Sequence, residues 1–166
     1  MARPLPFGNQ TGRAATDAHQ RQMDERLFHT SLVCRVHTRL CALPLLHVLE
    51  TLRPLPIEPL IDAPPHVSGL ARIRGQSLPV VDLAGLLGMT GVVPRRFITV
   101  SVGRRRAALA VGEVLGLREL AQQDTEPLPP LLREAANEPI QAIARLDAEL
   151  LMVLNGARLL PTQEFA

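Results

Sequence analysis

Five histidines, two cysteines and sixteen acidic side chains are where catalysis or metal binding would have to begin. Cys34, His37 and Cys41 share one short stretch, and thiolate and imidazole are ligands that zinc prefers. Strand alternation puts Cys34 and His37 on opposite faces, and no fourth ligand is apparent, so no metal site is expected. His19, His29, His47 and His66 form no HExxH motif and no tight cluster. Glu50, Glu58, Asp62 and Asp82 could meet in a cleft, but no spacing pairs them as acid and base. Ser68-Gly69 lacks the GxSxG context of a nucleophile, and neither a P-loop nor GxGxxG occurs. The expectation is a protein that is not an enzyme, with no catalytic residue and no cofactor.

Arginine is the other chemistry on offer. All 18 basic residues are Arg, and Arg95, Arg96, Arg104, Arg105 and Arg106 fall close together. They could bind phosphates, which makes a basic barrel protein that binds nucleic acid an alternative. Against it stand a net charge of only +2, no Trp, no Tyr and four Phe, which leave almost no base-stacking platform. The group reads as two ends of one strand pair, and no nucleic-acid partner is expected.

With 166 residues, of which 46% are apolar, the chain can bury a real core. No apolar h-region opens the sequence and no run approaches a membrane span, so a cytoplasmic protein without membrane insertion is expected. In that compartment Cys34 and Cys41 read as buried thiols.

Residues 1–28 read as a flexible N-terminal arm. Pro4, Pro6, Gly8, Asn9 and Gly12 favour loop, and Thr16–Phe28 is helix-forming, with Thr16 or Asp17 able to cap its start. Residues 29–166 are punctuated by Pro and Gly every few positions, which favours short strands. Strands are expected at Ser31–Val36, Leu40–Pro44, Val48–Leu52, Leu70–Arg74, Ser77–Asp82, Phe97–Val102, Ala107–Val111, Val114–Leu117, Ile140–Leu146 and Glu149–Leu154. Hairpin turns are expected at Gly75–Gln76, Gly103–Arg104 and Asp147–Ala148. Pro79 suggests an edge strand or a bulge. Short helical turns are expected at Leu83–Leu87, Leu128–Ala136 and Asn155–Leu160. No internal repeat of fixed period is visible. The class is all-β, and strand count per length suits two small five-stranded barrels. The Leu-rich stretch Leu43–Leu52 either fills a small barrel or forms a partner surface.

The order LVCRVHTRLCALPLLHVLETL, then LIDAPPHVSGLARIRGQSLPVVDLAGLLG, resembles the CheW-like family of chemotaxis coupling proteins. Val48 and Glu50 match its V-x-E strand. Gly69, Arg74, Gly75, Pro79, Val80, Asp82 and Leu83 match its most specific signature. The likeness covers about residues 29–161. Arg72-Ile73 stands where many members have Asn-Leu, and Ala84 where an Arg commonly follows Asp-Leu. The resemblance implies two SH3-like β-barrels side by side, with an apolar groove between them. It implies a non-enzymatic scaffold joining chemoreceptor cytoplasmic tips to the regulatory domain of a CheA-type histidine kinase. An adaptor for a non-flagellar pathway, such as pilus or surface behaviour, binding only the kinase, is the nearest alternative. Carried over by position, Leu45, Leu46, Val48 and Glu50 fall on the receptor-facing turn and strand. Arg74 and Gly75 fall on the Arg-Gly turn, where Arg74 either contacts a partner or bonds to backbone carbonyls.

Overall fold

The computed structural model describes residues 11–130 and 139–165. The loop expected before residue 11, and the helical turn expected over Leu128–Ala136 from residue 131 on, lie outside the described residues. Helix α1 spans Thr11–His29, five residues longer at its start than expected. Thr16 therefore caps nothing. It sits inside the helix and donates its hydroxyl to the Gly12 carbonyl at 2.8 Å.

Among the described residues twelve strands follow, with two short helices among them. In chain order they are β1 Thr30–Val36, β2 Arg39–Pro44, β3 Val48–Leu52, β4 Ile57–Glu58, β5 Val67–Ile73 and β6 Gln76–Asp82, then helix α2 Leu83–Leu86. After it come β7 Arg96–Val102, β8 Arg105–Val111, β9 Glu113–Glu119, β10 Thr125–Pro127, β11 Ile140–Leu146, β12 Glu149–Leu154 and helix α3 Gly156–Leu159. All ten expected strands are present. The short β4 and β10 are additional, and they give each sheet a sixth member.

One sheet runs β10-β11-β12-β2-β1-β9, the other β4-β5-β6-β8-β7-β3. The second order repeats the first. In each sheet two antiparallel hairpins meet through one parallel pair, β12 with β2 and β6 with β8. Each sheet is the wall of one small SH3-like barrel.

Burial explains why simple alternation is blurred in this sequence. On β1, Leu32, Cys34 and Val36 face a core shared by the two sheets, while Val33 faces the interior of the first barrel. On β8, Ala107, Leu109 and Val111 face the shared core, and Ala108 and Ala110 the second barrel's interior. Strands covered on both faces read as continuous apolar runs.

The hairpins show where turn chemistry was legible. The Gly103–Arg104 and Asp147–Ala148 turns stand where expected. The third lies one residue earlier than expected, at Arg74-Gly75, with both residues at positive φ (52° and 77°) as a type I′ turn requires. A fourth, at His37-Thr38, carries no Gly, Asn or Asp to announce it, and His37 takes a φ of 54°. Strand β6 is central, so Pro79 marks neither an edge nor a bulge of its own. Its parallel pairing with β8 begins only at Val80, which leaves the proline beside a single ladder, opposite Leu70.

Gly69, at a φ of 145°, is where β5 meets β4: a Cβ there would overlap the Glu58 carbonyl oxygen. Gly69→Ala is expected to cost about 2–4 kcal/mol in chemical denaturation, through strain and forced separation of β4. Gly88→Ala, at a φ of 81° but in open space, should cost only about 1–2 kcal/mol. Equal losses in the two variants would contradict the close approach. Cys34 and Cys41 lie directly opposite each other in β1 and β2, both free and fully buried. Burial pushes both thiols up, Cys41 to about 12. Near pH 8 both should react with a disulfide reagent about a hundredfold more slowly in the native protein than in denaturant, since the thiolate is the reactive form.

Candidate functional site

The site is built where the chain leaves the first sheet for the second. Strand β2 ends at Pro44, a 3₁₀ turn covers Leu45–His47, and β3 begins at Val48 as an edge strand beside β7. Proline at the head of the turn fixes φ and removes a donor, so the first sheet's ladder stops there. Leu45 is half-buried and Leu46 is 40% exposed. His47 is pinned from behind: a Cβ at Gly156 would lie 2.6 Å from its ring, so the turn rests on the start of α3.

The pairing of β3 with β7 shifts between Val48 and Glu50, leaving Leu49 as the extra residue of a bulge. Val48 stands opposite Val100, which faces the shared core, and Val48 packs on that core half-buried. Glu50 stands opposite Thr99, on the other face of β7. Directly opposed residues share a face of a sheet. The bulge therefore sends Val48 and Glu50 to opposite faces, where plain alternation would keep them together. It also leaves Leu49 54% exposed, and sequence reading missed this residue because nothing in the residue types announces the bulge.

Glu50 and Arg74, 24 positions apart, meet across the mouth of the second barrel. The Arg74 guanidinium donates Nε to one Glu50 carboxylate oxygen at 3.3 Å and Nη2 to the other at 2.9 Å. This forked pairing is the geometry arginine offers a carboxylate. Arg74 lies in the turn and its side chain is largely exposed (81%), whereas that of Glu50 is 29% exposed. The hydrogen bond and charge of Arg74 hold the Glu50 carboxyl below its ordinary range, and Glu50 raises Arg74 in return. The guanidinium thus takes a side-chain partner in place of backbone carbonyls. Gly75 is exposed, and its contribution is the positive φ that closes the turn. The first barrel has a counterpart clasp, Arg35 to Glu149 at 3.2 and 3.3 Å.

The remaining arginines divide as the strands do. Arg105 donates to the carbonyls of Leu160 and Ala157, and Arg106 to Gln76, at one end of the β7–β8 hairpin. Arg95 and Arg96 lie at the other end, so the basic residues form no continuous stripe. No helix is long and apolar enough to cross a membrane among the described residues. Also among the described residues, no group of three or more His, Cys, Asp or Glu side chains is placed to hold a metal ion, and His37 lies exposed in its turn away from buried Cys34.

The chain is similar to known proteins in sequence and in fold. The chain is 36% identical over 121 residues to Protein FrzA of Myxococcus xanthus, covering 70% of this chain and 75% of that protein. It is 26% identical over 112 residues to Chemotaxis protein CheW of Rhizobium meliloti (66% and 72% covered). The scaffolding protein TtCheW of Thermoanaerobacter tengcongensis shares the fold, with a TM-score of 0.68 at 23% identity over 76% of this chain and 88% of that one. The model of the CheW-like domain matches residues 30–164, which takes in both barrels and both Arg–Glu clasps, and on that match the chain belongs to the CheW-like family of chemosensory signalling scaffolds.

Proposed function

We propose that this protein is a non-enzymatic coupler that holds the helical cytoplasmic tip of a chemoreceptor against the regulatory domain of a CheA-type histidine kinase. One observation carries the reading. An edge strand and its lead-in turn present Leu46 and Leu49 to solvent, with Val48 packed behind them and the Glu50–Arg74 clasp alongside. Large exposed aliphatic side chains on a rigid support suit the apolar stripe of a partner helix. The clasp pre-orders a charged rim, which sets orientation more than affinity. Residues 29–166 form the scaffold in this reading, and residues 1–28 are an appended arm.

Two titrations of the purified protein test this, one against a receptor signalling-tip fragment and one against the kinase regulatory domain. Both should bind at micromolar strength. Leu46→Asp and Leu49→Asp should each weaken receptor binding by about tenfold or more and leave kinase binding unchanged, because truncating an anchor at an interface centre costs this much. Val48→Asp should do the same where it remains folded. Kinase binding alone would replace the coupler with a kinase-only adaptor, and binding to neither would overturn the reading.

The clasp has its own signature. Arg74 depresses the Glu50 carboxyl, so the pair is fully formed above the ordinary Glu range, near 4.3, and is lost as pH falls through the lowered folded value. A carboxyl NMR titration of Arg74→Ala should show Glu50 returning upward to the ordinary range. An unchanged titration would remove the clasp from solution.

A further inference from the structure

At the far end of β3 from Leu46 and Leu49, the edge strand runs into arginine. Arg53 follows β3 directly, just past the last pair of the ladder, Leu52 opposite Phe97, and Arg96 stands next to Phe97 at the start of β7. Arg95 is tethered beside them by its backbone N–H, which donates to the Val111 carbonyl at 2.9 Å. Together with Gly112, Glu113 and Val114, where the chain crosses back to the first sheet, the three arginines line an open groove of about 580 Å³. Like charges gathered in one groove repel each other. No carboxylate compensates within hydrogen-bond reach: among the described residues none of the three forms an ion pair. Glu113 is the one acid in the groove. The crossing itself is tightly fixed, since Gly112 donates to the Arg35 carbonyl at 3.0 Å and a Cβ there would come within 2.8 Å of that oxygen. The groove is therefore rigid, cationic and continuous with the strand that bears the apolar anchors.

We propose that this groove receives carboxylates of the same helical partner that lies on Leu46 and Leu49, a contact that rests on the coupler reading above. From Leu49, the exposed anchor, to Arg53 the strand advances about 13 Å. A helix laid along it covers that distance in about two to three turns. The partner is thus a helix with an apolar anchor and, about two to three turns away on the same face, a pair of Glu or Asp residues. Arginine forks match carboxylates bidentately, and the one-way order of apolar then acidic contacts gives the helix a direction on the scaffold.

The test uses the full chain and a receptor signalling-tip fragment, with affinity measured at about 50 mM and about 300 mM salt. The wild type should weaken with salt. Arg53→Glu combined with Arg96→Glu should bind about tenfold or more weakly at low salt and lose most of the salt response. Arg104→Glu, at the opposite end of the β7–β8 hairpin, should behave as wild type. Replacing by Arg the fragment's acidic residues about two to three turns from its apolar anchor should restore binding to the double variant, a rescue that an unfolded variant could not give. Wild-type affinity and salt response in the double variant would overturn the groove and leave the coupler reading intact. A wild type that does not bind the fragment, or that binds it indifferently to Leu46→Asp and Leu49→Asp, would overturn both.

Discussion

The core shared by the two sheets is the constraint on which the rest depends. Among the described residues, the interior of each barrel holds six or seven buried apolar residues, whereas the layer between them holds seventeen. Small cores are marginal, so most of the hydrophobic stabilisation here is gained only when the sheets face each other. The chain enforces that pairing by exchange. After β2 it leaves the first sheet to supply β3 to the second, and after β8 it leaves the second to supply β9 to the first. Each barrel is thus edged by a strand that follows directly from the other's hairpin, and separating them would strip both of an edge.

The exchange also explains a symmetry that is absent from the sequence. Both sheets have the same order of hairpins and the same central parallel pair, and both parallel strands lead into a one-turn helix, α2 after β6 and α3 after β12. The chemistry at the two equivalent corners differs. Asn155 caps α3 through its side chain, accepting from Ala157 N–H at 3.2 Å, while Asp82 makes no such bond at α2. Asp82 instead receives its place through its backbone, donating to the His66 carbonyl at 2.7 Å. Topology constrains which positions are buried and which turn, not which residue type does it, so a structural repeat leaves no fixed period behind.

Much of the fold was legible because it rests on local physics. Runs such as Phe97–Val102 and Ile140–Leu146 are bounded by turn residues, and their strands stand where the runs do. The misses share one cause, which is long-range pairing. Strands β4 and β10 are too short to carry a pattern, and exist because Ile57–Glu58 and Thr125–Pro127 find edges to join. Pro79 is tolerated in a central strand only because β8 pairs from Val80 onward. At the site, the family resemblance pointed to Leu45, Leu46, Val48, Glu50, Arg74 and Gly75. The Leu49 bulge, the Glu50–Arg74 clasp and the Arg53–Arg96 juxtaposition needed the register of β3 on β7 and the position of the β5–β6 turn.

That register shows why the candidate surface sits where it does. A strand that crosses between sheets must stop pairing with one and begin with the other, and at the change its side chains lose the cover both sheets give elsewhere. Leu46 and Leu49 are exposed for this reason at the β2–β3 crossing, and Leu115 and Leu117 on β9 are exposed after the β8–β9 crossing. A uniform edge of this kind would invite indiscriminate strand pairing. The bulge at Leu49 and the bulge opposite it in the first sheet, between Val33 and Cys34, interrupt each edge and bend it. The Arg–Glu clasps add charge beside the barrel mouths. The same exchange that joins the barrels thus leaves two apolar edges, and bulge and charge together guard them against pairing with a free strand.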